Sequence, residues 1–213
     1  MNRKNIKIKM DQMGFDYGST IETVLTTWNH DGTVNAAPMG VIRNPKDQII
    51  IKPYRSSNTF RNMLKNKEVC VNTTQNSEIF LKTAFKYEGL GLLPIKKGDL
   101  LLEGSDASIK CKIINVEYEN ASRPEFTAEI KQILTKKRIP ISFNRGKNNA
   151  IEAIIQASHI KYKSNERGED FKTNLINFNY NIQIIKKVSA SNSTEMKVAN
   201  KLESLVEKWR LVK

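Results

Sequence analysis

The sequence has few of the residues that build metal sites and disulfide scaffolds. It contains two cysteines and two histidines, without the spacing of zinc or haem ligands. Cys70 and Cys111 both lie in alternating, strand-like segments, which favours small core residues over a disulfide or a reactive thiol. His30 lies in a predicted turn and His159 near the end of a predicted helix. These patterns argue against a metalloprotein and against a disulfide-stabilised domain.

Long apolar runs are also missing from the chain. No stretch approaches the ~20 apolar residues that a membrane-spanning helix requires. Residues 1–9 carry the positive charge of a signal peptide but have no apolar segment behind them. Hydrophobic residues make up 39% of the chain and charged residues 27%, a composition typical of a globular protein rather than a disordered one. We therefore expect a cytoplasmic protein without a membrane segment.

Acidic residues are scarce relative to basic ones, and the formal net charge is +13. From Lys131 to Lys163 there are eight basic residues and one acidic residue, Glu152. Such a segment could attract nucleic-acid phosphates. However, 26 of the 35 basic residues are lysines, whereas arginine supplies the bidentate contacts that phosphate and base recognition favour. No known nucleic-acid-binding motif is visible. We favour solvated surface lysines, with nucleic-acid binding as the alternative.

The segment from residue 21 to residue 74 is dense in strand-forming residues. Ile21–Trp28 and Val34–Ile42 are predicted strands, and the Asp31-Gly32 pair between them predicts a hairpin, because glycine tolerates the positive φ of such turns. Pro38 cannot donate a ladder hydrogen bond and Gly40 has no side chain. The second strand is therefore predicted to be an edge, a bulge or a place of close backbone approach.

A polar segment follows a third predicted strand, Gln48–Lys52. In it, Arg55 precedes four polar residues, Ser56, Ser57, Asn58 and Thr59. Apolar residues at helical spacing come next, which places the polar residues at the N-terminus of a short helix. Backbone N–H groups, hydroxyls and the helix dipole together can bind an anion. A plain N-cap uses the same residue types and is the alternative.

Several motifs of the chain resemble one known family. They are Thr26–Val41, Lys52-Pro53-Tyr54 with Thr59, Val71-Asn72, Asn144-Arg145-Gly146 and Ile151-Glu152-Ala153. The pattern resembles a prokaryotic family of unknown function in the FMN-binding split-barrel superfamily, in which the flavin reductases and pyridoxine-phosphate oxidases are distant relatives. The similarity covers residues 21–163.

The resemblance implies an FMN-binding homodimer, with the flavin near the subunit interface and no known substrate. The isoalloxazine ring would be bordered by Thr26, Thr27, Asn35, Ala37, Pro38, Met39 and Gly40. The phosphate would be held by Arg55, Ser56, Ser57 and Thr59, beside Tyr54. Asn72 would contact the ribityl chain or the ring edge. The expected function is that of a flavin-dependent oxidoreductase; the alternatives are a flavin carrier or sensor without turnover and a basic nucleic-acid adaptor without cofactor. The cofactor could also be another flavin or a deazaflavin.

The expected fold is mainly β with helices (α+β), a split β-barrel of Greek-key type with a C-terminal helical elaboration. We expect three segments in the chain. Residues 1–120 would form the flavin-binding barrel core, residues 121–165 a pair of helices packed on the barrel, and residues 166–213 one or more returning strands and a last helix within the same globular unit.

Local patterns predict the elements beyond the barrel core. Asn76 predicts a helix cap, and a change of apolar phase after Ile113 predicts a β-bulge. The segment 122–125 reads as a capping box, followed by an apolar helical stripe at Phe126, Ile130 and Ile133.

Three further elements are predicted towards the end of the chain. A second helix is expected from Asn144 to His159. Alternation predicts strand structure over Lys172–Val188, and the stripe of Val198, Leu202, Leu205 and Trp209 predicts a last helix over Glu195–Trp209.

Overall fold

The computed structural model describes residues 2–86, 88–90, 95–118, 122–136, 145–162 and 168–211. In chain order, the elements are α1 (Arg3–Gln12), β1 (Thr20–Trp28), β2 (Val34–Arg43), β3 (Gln48–Ile51), α2 (Asn58–Lys65), β4 (Glu68–Thr73), α3 (Ser77–Ala84), β5 (Ala107–Glu117), β6 (Glu125–Thr135), α4 (Arg145–Tyr162), α5 (Glu169–Val188) and α6 (Thr194–Leu211). They form two compact units. The barrel unit comprises Met1–Thr74 and Leu92–Lys137, and the helical unit comprises Gln75–Gly91 and Arg138–Lys213.

The six strands of the barrel unit form a closed barrel in the order β1-β2-β3-β6-β5-β4. All neighbouring strands are antiparallel, and the β1–β4 pairing closes the barrel. The α+β fold class, a β-barrel with a C-terminal helical elaboration, is confirmed. The first three strands were predicted within a residue of their observed bounds, because each is a short β-branched run between clear turn signals.

The hairpin between β1 and β2 has the predicted turn. Gly32 has a φ of +79°. The N–H of Asn29 donates to the carbonyl of Thr33 at 2.8 Å, and the Asp31 carboxylate accepts hydrogen bonds from both the N–H and the hydroxyl of Thr33. These local bonds fix the β1–β2 register and therefore the face on which each side chain of the two strands lies.

The barrel core is filled by alternate strand residues and by two helices. Leu25, Val41 and Ile109 are fully buried in it, and Phe60 and Met63 of α2 pack against them. Helix α1 contributes Ile6 and Met10 to the same core, although no helix was predicted there. The two apolar residues of α1 are four apart, so they share one face, but lysines surround them in the sequence and mask the pattern.

The predicted helix after residue 122 is wrong, because the chain forms strand β6 there. Phe126, Ala128 and Ile130 alternate inward as in any strand. A register shift near Lys131 then moves the next buried residue to Ile133. Three alternating positions followed by a bulge place apolar residues at i, i+4 and i+7, which imitates a helix. The antiparallel helix pair expected in residues 121–165 is therefore not formed.

The strand predicted over 172–188 is also wrong, because this segment lies in the 20-residue helix α5. Phe178, Ile182 and Ile185 are buried at helical spacing, whereas Ile176 and Tyr180 are 68% and 64% exposed. The predicted alternation thus mixed two buried-face residues with two solvent-facing ones. Helical periodicity was present but was obscured by apolar residues on the exposed face.

The remaining local predictions are confirmed. Asn76 caps α3 by accepting a hydrogen bond from the N–H of Glu78. The β5–β6 ladder has a register shift after Ile113, as the change of apolar phase predicts. Helix α6 buries the stripe predicted for it. Helix α4 begins at Arg145, and Asn144 lies outside the described residues.

No helix in the described part of the chain is long and apolar enough to span a membrane. The same residues contain no group of three or more histidine, cysteine or acidic side chains that could hold a metal ion.

Candidate functional site

A buried polar cluster joins β1, β2 and α2. The amide Nδ2 of Asn35 lies 3.3 Å from Thr27 Oγ1 and 3.2 Å from Thr59 Oγ1. Asn62, on α2, donates to the same Thr27 hydroxyl at 3.1 Å and to Asn29 Oδ1 at 2.8 Å. Thr27, Asn35 and Thr59 are all at least 95% buried. The start of α2 is therefore fixed to the barrel, and three of the predicted site residues lie together.

The N-terminus of α2 is capped by Ser57. Its hydroxyl accepts a hydrogen bond from the N–H of Phe60 and donates to the carbonyl of Tyr54 at 2.7 Å. Arg61 bonds the carbonyl of Ser56 at 3.0 Å and also contacts Asn58 Oδ1. The plain N-cap considered for Ser57 thus exists. The exposed Ser56 lies in the same turn, next to the positive end of the helix dipole.

The two residues before this turn, Tyr54 and Arg55, are exposed. The guanidinium of Arg55 lies 5.5 Å from the ring centre of Tyr118, and that of Arg123 lies 4.6 Å from the ring centre of Tyr54. Within the described residues, Arg55 forms no ion pair. An uncompensated guanidinium, a serine hydroxyl and a helix N-terminus are a donor set that suits a phosphate.

Part of strand β2 has a free edge. Strand β3 pairs only with Val41–Arg43, and the described residues supply no other strand beside Asn35–Gly40. The bonds that flank β2 show how the backbone alternates: Asn29 N–H binds the Thr33 carbonyl on the β1 side, and Asn44 N–H binds the Gln48 carbonyl on the β3 side. Odd-numbered residues of β2 therefore face β1 with their backbone groups, and even-numbered ones face away.

The free edge carries the backbone groups of Ala36, Pro38 and Gly40. Pro38 has no N–H to donate, so its position there costs the barrel no ladder hydrogen bond. A Cβ on Gly40 would lie 2.8 Å from Thr20 Cγ2, which explains the absence of a side chain. The edge prediction for this strand is confirmed. Ala36 is only 1% exposed, so the accessible part of the edge consists of the carbonyl of Pro38 and the N–H and C=O groups of Gly40, which suit a planar heterocycle with its own donors and acceptors.

A second buried cluster surrounds Asn72, and it holds Thr26. Asn72 is fully buried; its Nδ2 donates to Thr26 Oγ1 at 3.0 Å, and its Oδ1 accepts from Ser108 Oγ at 2.8 Å and from the N–H of Leu102 at 3.2 Å. Thr26 Oγ1 also bonds the carbonyl of Leu100 at 2.5 Å. Because successive side chains of a strand point to opposite faces, Thr26 and Thr27 belong to different clusters.

The predicted site residues thus fall into three groups. Thr27, Asn35 and Thr59 form the first cluster, and Thr26 and Asn72 form the second. Ala37, Pro38, Met39 and Gly40 follow Asn35 along β2, and Tyr54, Arg55, Ser56 and Ser57 lead into α2. Sequence reasoning missed Asn62, Arg61, Tyr118 and Arg123. Asn62 follows Thr59 by three residues, so it shares a helix face with a predicted site residue, and that spacing could have revealed it.

A surface cavity of about 420 Å³ lies elsewhere on the barrel unit, lined among others by Leu102, Ser105, Ser108 and Lys136. None of the predicted site residues lines it. The two cysteines are buried and free, as predicted. Burial raises the pKa of Cys70 to about 12, and it raises the pKa of Cys111 as well. Neither thiol is suited to act as a nucleophile near neutral pH.

Comparison with known proteins identifies the family of the barrel unit. Residues 21–137 match the family model described as the N-terminal domain of a protein of unknown function, DUF447. This match covers more than half of the chain and begins just inside β1. Helix α1 lies outside the matched residues.

The chain is similar to several solved structures. An FMN-bound protein from Methanosarcina mazei, assigned to the same family, superposes with a TM-score of 0.72 at 18% identity and covers 92% of this chain and 99% of its own. A flavoredoxin from Methanosarcina acetivorans has a TM-score of 0.48 at 20% identity, covering 57% and 72%. The styrene monooxygenase flavin reductase from Pseudomonas putida has a TM-score of 0.46 at 14% identity, covering 55% and 79%. The first of these superpositions confirms the split-barrel fold.

Proposed function

The chain belongs to the DUF447 family, and from that premise we propose that it is a flavoprotein that binds FMN through the start of α2 and the free edge of β2. The observation that carries the proposal is Arg55, which forms no ion pair with the residues that the structure describes, beside Ser56 and the N-terminus of α2. A phosphate there gains a charge-assisted hydrogen bond, a hydroxyl and the helix dipole. The FMN-bound member of the same family supports the choice of ligand.

The residues of β2 would orient the ring. Gly40 offers a backbone N–H and C=O at the free edge, and Pro38 contributes only a carbonyl. Thr27, Asn35 and Thr59 would hold α2 in place relative to that edge, since their hydrogen bonds connect the two elements. Bound FMN would supply hydride or electron transfer between a donor and an acceptor.

Asn72 and Thr26 would support the site rather than touch the ligand. The polar atoms of the Asn72 side chain already bond to β1, to β5 and to the segment of Leu102. Breaking these bonds for a ligand would leave buried polar groups unpaired, which costs about 1–3 kcal/mol each. We therefore assign the Asn72 cluster the role of holding β4 and its covering segment together.

The activity that best fits this arrangement is that of a flavin-dependent oxidoreductase acting as a homodimer. The family resemblance supports the dimer, and the cytoplasm is the proposed compartment, because both cysteines are free thiols. Flavin transport or sensing without turnover is the second candidate. The absence of an activated nucleophile or acid among the described site residues agrees with either, since the flavin itself would carry the chemistry.

The visible absorption spectrum of the purified protein tests the cofactor. The protein is incubated with FMN, FAD or a deazaflavin, unbound ligand is removed, and the retained absorbance is compared with protein concentration. We expect FMN to be retained at one per chain. A protein that retains none of the three would contradict the proposal. Light scattering of the loaded protein then tests the dimer.

Reduction of the bound flavin separates the oxidoreductase from the carrier. Under anaerobic conditions, NADH or NADPH is added to the FMN-loaded protein, and the flavin absorbance is followed before and after an acceptor is supplied. Rapid bleaching and return of the absorbance through many cycles support an oxidoreductase. Flavin that is bound but never reduced above the rate of free FMN supports the carrier.

A further inference from the structure

Two exposed tyrosine–arginine pairs lie side by side on the barrel unit. Arg123 stacks on Tyr54 at 4.6 Å and Arg55 lies over Tyr118 at 5.5 Å, measured from guanidinium carbon to ring centre. The rings of Tyr54 and Tyr118 are 57% and 49% exposed. These four residues are called the tyrosine–arginine surface below.

The tyrosine–arginine surface is held by bonds between two chain segments. The N–H of Arg55 donates to the carbonyl of Ser122 at 3.1 Å, and Nε of Arg123 donates to the carbonyl of Lys52 at 3.0 Å. An ion pair between Lys52 and Glu125, at 2.7 Å, joins the same two segments. The segment before α2 is thus fastened to the end of the β5–β6 hairpin, so the surface needs little ordering before a ligand binds.

Among the described residues, the charge beside the exposed rings is positive. Glu125 neutralises Lys52, whereas Arg55 has no carboxylate partner in the described part of the chain. Glu117, the last residue of β5, accepts a hydrogen bond from the side chain of Asn115 at 2.9 Å. Exposed aromatic rings provide stacking for a nucleobase, and arginines provide donors for its phosphates.

We propose that the tyrosine–arginine surface binds the adenylate half of a dinucleotide electron donor. This inference rests on the proposed function, because the donor would deliver its electrons to FMN. Arg55 belongs to this surface and also to the proposed FMN phosphate site, so the two ligands would be neighbours. Two rings suit a single nucleotide, whereas single-stranded nucleic acid is bound along a longer row of stacked bases.

Direct binding of ADP tests the surface without turnover. Calorimetry is carried out on the wild type and on Tyr118→Leu and Arg123→Gln, two residues outside the proposed FMN site. Loss of one stacking or charged contact should weaken ADP binding roughly ten-fold in each variant. Tyr180→Leu and Lys65→Gln remove an exposed ring and an exposed charge elsewhere and should leave ADP binding unchanged. Unchanged ADP affinity in both surface variants would overturn the proposal.

FMN affinity, measured for the same proteins by flavin fluorescence, separates this inference from the proposed function. Both surface variants should lower FMN affinity far less than Arg55→Ala does, because Tyr118 and Arg123 contact Arg55 and Tyr54 rather than the flavin. If the wild type binds no FMN, the proposed function fails and the dinucleotide assignment fails with it. If FMN is bound but the wild type shows no saturable ADP binding, only the present inference fails.

Kinetics distinguish a dinucleotide donor from a free adenine nucleotide. KM is measured for NADH and for reduced nicotinamide mononucleotide, which lacks the adenylate half. The variants should raise KM for NADH roughly ten-fold, by the same lost contacts, and leave KM for the mononucleotide unchanged. Equal changes for both donors, or a change in ADP affinity alone, would overturn the dinucleotide assignment. A larger loss for a single-stranded RNA oligonucleotide than for ADP would also overturn it.

Discussion

Arg43 and Arg55 both lie over a tyrosine ring of the barrel unit, but one is buried and the other is exposed. The side chain of Arg43 is 1% exposed, and its guanidinium binds Asp11 at 2.6 Å, Asp47 at 2.5 Å and the carbonyl of Phe15 at 2.9 Å. The guanidinium of Arg55 has its ring contact with Tyr118 and no carboxylate among the described residues.

The two guanidinium groups differ in how many of their hydrogen-bond donors are used within the protein. The guanidinium of Arg43 donates its hydrogen bonds to groups of the barrel unit, and these bonds hold the segment after α1 and the turn of Asp47 in place. Arg55 forms no ion pair within the described ranges and lies at a surface with a helix N-terminus beside it. A saturated buried arginine is a structural element, whereas an unsaturated exposed one is suited to bind an anion from solution. The predictions below test this division.

Removing Arg43 should have the largest effect, and it should act on stability. Arg43→Ala leaves Asp47 buried without its main partner, and breaking a buried ion pair in this way costs about 3–5 kcal/mol. Chemical denaturation monitored by circular dichroism measures the change. FMN affinity of the protein that remains folded should stay within about two-fold of the wild type, since the side-chain hydrogen bonds of Arg43 go to Asp11, Phe15 and Asp47 rather than to α2.

Arg3 supplies the matched control for this prediction. It also pairs with Asp47, at 3.7 Å, but its side chain is 72% exposed. Exposed pairs contribute about 0–1 kcal/mol, so Arg3→Ala should hardly change the unfolding midpoint. If the two alanine variants lose similar stability, burial does not explain the role of Arg43.

The second prediction concerns Arg55 and FMN. Arg55→Ala combined with Thr59→Ala removes a charge-assisted hydrogen bond to the phosphate and the buried hydroxyl that holds α2 to Asn35, at ~1–3 kcal/mol each, and should weaken FMN binding tens-fold or more. Thermal unfolding without ligand should change less than for Arg43→Ala. Fluorescence titration with FMN and calorimetry of the unliganded protein provide the two readouts.

Two controls sharpen this second test. Lys65→Ala removes one positive charge from the other end of α2 and should leave FMN affinity unchanged. Thr59→Ser keeps the hydroxyl that bonds Asn35 but removes the methyl group. Comparing it with Thr59→Ala therefore separates the effect of losing the hydroxyl from the effect of losing side-chain volume. Unchanged FMN affinity in the double variant would refute the proposed position of the phosphate.

Of the two arginines, only Arg55 could be identified as a site residue from the sequence. Arg55 stood out because hydroxyl residues and a helical pattern follow it directly. Arg43 did not, because its partner Asp11 lies 32 positions away, and α1 was not predicted. The strands around Arg55 were recoverable from β-branched runs and turn residues, which are local signals.

The missed features have local as well as long-range causes. The bulge at Lys131 made β6 imitate a helix, and Ile176 and Tyr180 on the exposed face of α5 made a helix imitate a strand. Thr26 and Thr27 were assigned to one site, although alternation alone puts them on opposite faces. Knowing that Asn72 is saturated required the covering segment at Leu102, whose position no local pattern specifies.

The third prediction uses acid to weaken the Arg43 cluster without mutation. Burial by itself raises the pKa of Asp47, but hydrogen bonds from Arg43 and Tyr17 outweigh it, so its pKa lies below the ordinary range. A carboxylate with a lowered pKa in the fold stabilises the protein at higher pH, and this contribution is lost as the pH falls below about 4. Asp47→Asn should therefore flatten the acid side of the stability profile.

Asp99 and Glu88 also have lowered pKa values, so they contribute to the loss of stability in acid as well. Subtracting the Asp47→Asn curve from that of the wild type isolates the Arg43 cluster. FMN release over the same range, followed by fluorescence, should not parallel the loss of stability that depends on Asp47. Parallel curves would mean that the cluster and the ligand site are coupled.

The smallest effect is expected for Arg61, which combines features of the two arginines. It is exposed like Arg55, but its donors are used within the protein, on the carbonyl of Ser56 and the side chain of Asn58. We expect it to position the turn before α2 rather than to bind phosphate. Arg61→Ala should weaken FMN binding only about three-fold, the size of one exposed hydrogen bond, with little dependence on salt. Arg55→Ala should lose more affinity and lose most of its salt dependence. A loss for Arg61→Ala equal to that for Arg55→Ala, with the same change in salt dependence, would show that both arginines contact the phosphate.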